Sequence, residues 1–164
     1  MSQRRILIVL STSRYSQHLV DQALEEARAF EKQGEQVWLE VLYIIESEEL
    51  NKVSQKVGDS GFLGMSVQKE VLEALGSEHH RMAMLRIQEV CQMASAHGYE
   101  LRITEKKGSF AHSIITYAQD HPFDVILLTR ADRPFISRFL FGSQADKVAR
   151  LARKEGIKVI IDEQ

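Results

Sequence analysis

With 164 residues, 44% of them apolar, the chain is long enough to bury the core of one domain and short for two. Its 21 basic and 23 acidic side chains leave a net charge of −2, which removes the electrostatic footprint of a general nucleic-acid binder and leaves no basic tail for a membrane. Cys91 is the single cysteine, so an intrachain disulfide is excluded, a metal site would need histidines and carboxylates, and a reducing, cytoplasmic compartment is expected.

Arg4-Arg5 followed by Ile6 to Leu10 has the charge-then-apolar order of a signal peptide, but the aliphatic run is too short for one. It reads instead as a strand buried on both faces, ending in the polar turn Ser11-Thr12-Ser13. From Ser16, a capping residue, Leu19, Ala23, Ala27 and Phe30 recur at helical spacing, with Asp21, Glu25 and Glu26 early and Gly34 as a stop. Val37 to Ile45 is the second strand, interrupted only by Glu40. A second helix is expected from about Ser77 to His97, with Met84, Ile87, Cys91 and Ala94 on its apolar face and Gly98 as terminator. Leu101 to Thr104 is a short third strand, Ser109 opens a helix carrying Ile114, Ile115 and Ala118 that ends at His121-Pro122, and Val125 to Leu128 is the fourth strand. A helix from Ser143 to Glu155, a stop at Gly156 and a strand from Ile157 to Ile161 complete the chain.

Strands alternating with helices at this spacing predict an α/β fold, a doubly wound parallel sheet with helices on both faces, because parallel neighbours need a right-handed crossover of helical length. Such sheets bind ligands at the carboxyl ends of their strands, so the loops after the first, second and fourth strands are the informative ones. Glu46 to Gly76, roughly thirty residues, is too long for a plain crossover loop. It is read as an insertion, a lid or a partner-contacting segment, with the glycine-rich Gly58 to Gly64 preceding a short helix marked by Val67, Val71, Leu72 and Leu75.

Gly108-Ser109, a helix ending Tyr117-Ala118-Gln119-Asp120-His121, the strand Phe123-Asp124-Val125-Ile126-Leu127-Leu128, and Gly142-Ser143-Gln144-Ala145-Asp146-Lys147-Val148 together resemble the universal stress protein family. The opening strand and turn, Ile6 to Ser16, and Leu42-Tyr43-Ile44-Ile45-Glu46 are similar to the family's first strand and the end of its second. The resemblance covers nearly all of the chain outside the insertion. It implies a five-stranded parallel sheet in the order 3-2-1-4-5 and a homodimer through the last strand, 157–161, with some members binding ATP or AMP and others not. It does not imply catalysis.

Family members that bind ATP carry a Gly-x2-Gly-x9-Gly-Ser/Thr loop after the fourth strand, which places Thr129 and Asp132 at the first two glycines and Gly142-Ser143 at the end. The family's aspartate and glycine after the first strand correspond to Ser11 and Thr12. A Cβ at Thr129 or Asp132 narrows the approach of a phosphate to backbone N–H groups, and the Asp132 carboxylate repels it. The expectation is therefore a regulatory or ligand-sensing dimer that does not hold ATP in the usual way and works through a protein partner or another small ligand. The alternative is a nucleotide-binding stress protein with a modified phosphate loop. Its candidate ligand residues are Ser11, Thr12, Ser13 and Ile44 on the base side, and Thr129, Arg130, Arg133, Gly142, Ser143 and Gln144 toward the phosphates. For that alternative, Arg130, Arg133, Arg138 and the helix N-terminus at Ser143 supply anion affinity. The bland reading is solvated arginines and a cap at Ser143 completed by Asp146.

A phosphoanhydride hydrolase is a third, weaker alternative, since the serine-rich turn after the first strand has no glycine with which to bind a pyrophosphate. Gly58-Asp59-Ser60-Gly61 matches the nucleophile loop of trypsin-like proteases, but the chain lacks the all-β pattern that would supply its partners. His79 and His80 are adjacent and diverge on a helix, and no other histidine has metal-ligand spacing. Cys91 reads as a core residue and Trp38 as part of a half-buried strand.

Overall fold

The computed structural model describes residues 2–46, 65–130 and 143–162, leaving aside the side chains of 65–68, 71, 72, 75 and 143. Five parallel strands form one sheet in the order β3-β2-β1-β4-β5: β1 Gln3–Ser11, β2 Gln36–Glu46, β3 Leu101–Gly108, β4 Val125–Thr129 and β5 Lys158–Asp162. The helices are α1 Gln17–Lys32, α2 Met65–Ala96, α3 Phe110–Asp120 and α4 Ser143–Lys154. This is the doubly wound α/β class and the strand order expected from the sequence.

The aliphatic runs become strands because both of their faces are covered. Ile6, Ile8 and Leu10 point to one side with Leu39, Val41 and Tyr43, where Leu19, Val20, Ala23 and Leu24 of α1 and Ala83 and Val90 of α2 cover them. Leu7 and Val9 point to the other side with Leu42 and Ile44, under Phe110 and Ile114 of α3 and Ala145, Val148 and Ala149 of α4. Ser11 follows Leu7 and Val9 in the alternation and so belongs to the α3/α4 side. Gly34 and Gly98, with φ of +82° and +83°, end α1 and α2 in the left-handed conformation that a side chain resists.

Three expectations change. The helices expected apart at 67–75 and 77–97 are one 32-residue helix, α2, with Gly76 inside it; the glycine weakens a helix by about 1 kcal/mol but does not end one whose backbone bonds continue on both sides. The packed face of α2 is Ala83, Ile87, Val90 and Ala94, while Met84 is 55% exposed and Cys91 only partly buried. The third strand, expected over 101–104, runs on to Gly108; within β2, Glu40 breaks the apolar run, as expected, and Arg5 and the Tyr117 hydroxyl hold its buried carboxylate. The insertion expected at 46–76 lies largely outside the described residues, which include only Glu46, the last residue of β2, and 65–76 as the start of α2. No helix among the described residues is long and apolar enough to cross a membrane.

Candidate functional site

The β1–α1 turn sits at the carboxyl end of the central strand, where its neighbours β2 and β4 also end. Ser11 N donates to Arg14 O at 2.8 Å and Arg14 N to Ser11 O at 3.3 Å, so the turn closes on itself. Thr12 N donates to Ile44 O at 3.2 Å, and Glu46 N donates to Thr12 Oγ1 at 3.3 Å, which ties the turn to the end of β2. From the α1/α2 side, Arg86 Nη1 donates to the carbonyls of Ser11 and Thr12 at 3.1 and 3.0 Å and to Tyr43 Oη at 3.2 Å. The Arg86 guanidinium also lies 4.8 Å from the Tyr15 ring centre. Tyr15 donates to Glu89 of the same helix, and burial, reinforced by that carboxylate, pushes the phenol's pKa well up. The turn is thus held from both strands and from α2.

On the opposite side of the turn, Arg14 and Glu46 form an ion pair with both side chains almost fully buried. The other Glu46 oxygen accepts from the Ser13 hydroxyl, and the Arg14 guanidinium rests 3.8 Å from the centre of the Phe110 ring at the start of α3. With each Glu46 oxygen held by a different donor and an aromatic face under the guanidinium, these contacts offset part of the cost of taking both charges out of water. Ser11 is fully buried, and its Oγ has no hydrogen-bond partner among the described residues.

At the end of β4, Thr129 Oγ1 donates to Asp162 O at 2.8 Å, so this side chain ties β4 to β5. Arg130 makes a two-point contact with Asp146, Nη1 to Oδ2 at 3.0 Å and Nη2 to Oδ1 at 2.9 Å. Asp146 is thereby engaged across the loop. Gln144 Oε1 accepts from Ala111 N at 3.3 Å and joins the first turns of α3 and α4. Ser16, expected to cap α1, makes no cap bond; its hydroxyl donates to Asp162 Oδ2 at 2.9 Å, with His18 Nδ1 3.6 Å from Oδ1.

The structure therefore brings Ser11, Thr12, Ser13 and Ile44 together, and places Thr129, Arg130 and Gln144 at the same end of the sheet. Arg133, Arg138, Asp132 and Gly142 lie outside the described residues, as do Gly58 to Gly64 and the Ser143 side chain. Sequence reasoning missed Arg14 with Glu46, Phe110 beneath them, and Arg86 behind the turn. A basic residue just past one strand and an acidic residue at the end of its parallel neighbour is the signal that could have found the pair. Among the described residues no group of histidines, cysteines and carboxylates could hold a metal.

The profile of the universal stress protein family matches residues 3–155. Among solved structures, UspA from Lactobacillus plantarum is similar over 98% of both chains, with a TM-score of 0.66 and 20% identity. Hypothetical protein MJ0577, described as a structure-based assignment of biochemical function, is 16% identical over 98% of this chain and 96% of that one, with a TM-score of 0.63. Hypothetical protein PH0823 is 20% identical over 98% and 96%, with a TM-score of 0.51. A search of curated protein sequences gives no match. At these identities the structures speak for the fold, and the profile, spanning nearly the whole sheet and its crossovers, makes this chain a member of the universal stress protein family.

Proposed function

We propose that the protein is a regulatory or ligand-sensing dimer of the universal stress protein type, without catalytic turnover, whose site does not hold ATP in the family's usual pose. The observation that carries this reading is the engagement of the carboxyl-end groups by the chain itself. Arg14 is paired with Glu46, Arg130 with Asp146, and the Ile44 carbonyl accepts from Thr12 N. A nucleotide that engaged both arginines would have to displace two carboxylates, and Thr129 brings a side chain where the family's ATP binders have glycine.

The two sheet edges support the dimer. β3 carries Arg102, Glu105, Lys106 and Lys107, charges that discourage another strand from adding. β5 offers the partly exposed Ile160 and Ile161, and the same strand of a second copy would cover that edge symmetrically.

Calorimetric titration with ATP and AMP is the test of the site, and the expected result is no micromolar binding. Micromolar affinity that disappears in Arg130→Ala would replace this reading with the nucleotide-binding one. Release of phosphate above background would bring back the hydrolase. Light scattering should give a dimer mass that falls to a monomer in Ile160→Lys with the fold retained by circular dichroism; a monomeric wild type sinks the dimer.

A further inference from the structure

At the ends of β1 and β2, one carboxylate already lies in what is built as an anion site. Glu46 is 5% exposed, and both its oxygens are held, one by Arg14 Nη1 and the other by the Ser13 hydroxyl. Arg14 is itself 4% exposed and is supported from below by the Phe110 ring, 3.8 Å away. A guanidinium, a hydroxyl and an aromatic floor are the groups that would receive a free carboxylate or a phosphate monoester in the same place.

A second, independent observation points to a ligand at this end. Ser11, fully buried on the α3/α4 side of the sheet with Phe110, keeps its hydroxyl without a hydrogen-bond partner among the described residues. A buried hydroxyl with nothing to bond is uncommon, because losing water without replacement is costly. Arg86 fixes the Ser11 and Thr12 carbonyls from the opposite side, so the turn carrying Ser11 and Ser13 is held in position without any ligand.

We propose that Arg14, Ser13 and Phe110 form an anion site that Glu46 occupies in cis, and that a small molecule bearing a carboxylate or phosphate group binds there by displacing Glu46, with the Ser11 hydroxyl as a further polar contact. The inference deepens the ligand-sensing reading by naming a ligand class for the same end of the sheet. A tethered carboxylate competes at high effective concentration, so the apparent affinity of the site is reduced by the fraction of molecules in which Glu46 is withdrawn. The resident side chain thereby sets the threshold at which the site responds.

The test uses the full chain, with inorganic phosphate and acetate as probes and chloride at matched ionic strength as control. In Glu46→Gln the competing charge is gone, and phosphate should bind on the order of a hundredfold tighter than in wild type by calorimetry. Adding Arg14→Met to that variant should abolish the gain. Binding no tighter in Glu46→Gln than in wild type, or a gain that survives Arg14→Met, overturns the proposal. Should Glu46→Gln be too unstable to titrate, its melting temperature becomes the readout. A rise with phosphate or acetate, absent with chloride and absent in the double variant, supports the site, and equal response to all three salts rejects it. The stronger of phosphate and acetate identifies the ligand's headgroup. Failure here is separable from failure of the regulatory reading, which is judged on wild-type protein with ATP and AMP.

Discussion

Two arginine–glutamate pairs, Arg14 with Glu46 and Arg4 with Glu35, flank the β1–β2 pairing at its opposite ends, and their surroundings make them different objects. At the carboxyl end Arg14 and Glu46 have side chains 4% and 6% exposed, whereas at the amino end Arg4 and Glu35 are 38% and 14% exposed. Arg4 also reaches Asp124, so it is one member of a solvated group, while Arg14 is stacked on Phe110 beneath the β1–α1 turn. The chemistry of the two pairs is the same. Solvent decides what each is worth, because water screens the outer pair and returns its hydration when it breaks, and cannot do so for the inner one.

The largest expected effect follows from breaking the buried pair on one side only. Arg14→Ala leaves the Glu46 carboxylate buried with the Ser13 hydroxyl as its remaining side-chain donor, and should cost about 3–5 kcal/mol in urea unfolding. Replacing both partners, Arg14→Met with Glu46→Leu, should recover most of that loss, since two apolar side chains need no mutual compensation. If the single and double variants are equally unstable, the loss comes from packing on Phe110 and not from the stranded charge.

Glu40 sits between the two extremes and sharpens the comparison. It is 4% exposed in the middle of β2 and is held by Arg5 and by the Tyr117 hydroxyl at 3.0 Å. Arg5→Ala should therefore destabilise by about 2–3 kcal/mol, less than Arg14→Ala, because the Arg5 side chain is 20% exposed and water can reach the carboxylate it leaves behind. Tyr117→Phe should cost about 2 kcal/mol, the value of one hydrogen bond to a charged, buried carboxylate. Burial is the main cause of the raised Tyr117 pKa. A raised folded-state value stabilises the protein below the phenol's ordinary range, and that stabilisation is lost as the pH rises through the folded value. Tyr117→Phe should accordingly flatten the alkaline side of the stability profile, leaving the slope contributed by Tyr15 and Tyr99, which are shifted the same way. An unchanged alkaline slope would mean that Tyr117 titrates as it does in the unfolded chain.

These pairs also mark where the sequence was legible and where it was not. Strands such as Ile6 to Leu10 and Val125 to Leu128 declare themselves because burial on both faces leaves an unbroken aliphatic run. The order 3-2-1-4-5 came with the family resemblance. The packed face of α2 was displaced because apolar residues occur on more than one of its faces: Ala83 and Val90 are buried, while Met84 and Leu85 are exposed. Of the candidate site, the β1–α1 turn was legible as a location, since a doubly wound sheet presents its central strand's carboxyl end as the place where ligands bind. Its partners were not, because they come from far along the chain. Arg14 and Glu46 are 32 residues apart and Ser16 and Asp162 are 146 apart, and both pairings depend on the strand neighbours, which local spacing does not encode. Ser16 has the residue type of a cap and the position of one, yet Asp162 takes its hydroxyl.

The smallest expected effect belongs to the outer pair, and pH is the variable that isolates it. The Arg4 guanidinium, by its hydrogen bond and then its charge, holds the Glu35 carboxyl below its usual range. A lowered folded-state value contributes stability that is present above the ordinary carboxylate range and is lost as the pH falls through the folded value. Glu35→Gln removes that contribution, so its melting temperature should match wild type most closely in strong acid and fall slightly below it near neutral pH, with the gap closing in added salt. Arg14→Ala should behave differently at neutral pH, because salt does little for a carboxylate shut away from solvent. A salt-sensitive Arg14→Ala variant, or a salt-insensitive Glu35→Gln variant, would show that the two ends of the sheet are closer in environment than their exposures imply. The pairing of β1 with β2 would then be held by charge at both ends alike, and the case for a reserved anion site at the carboxyl end would lose its premise.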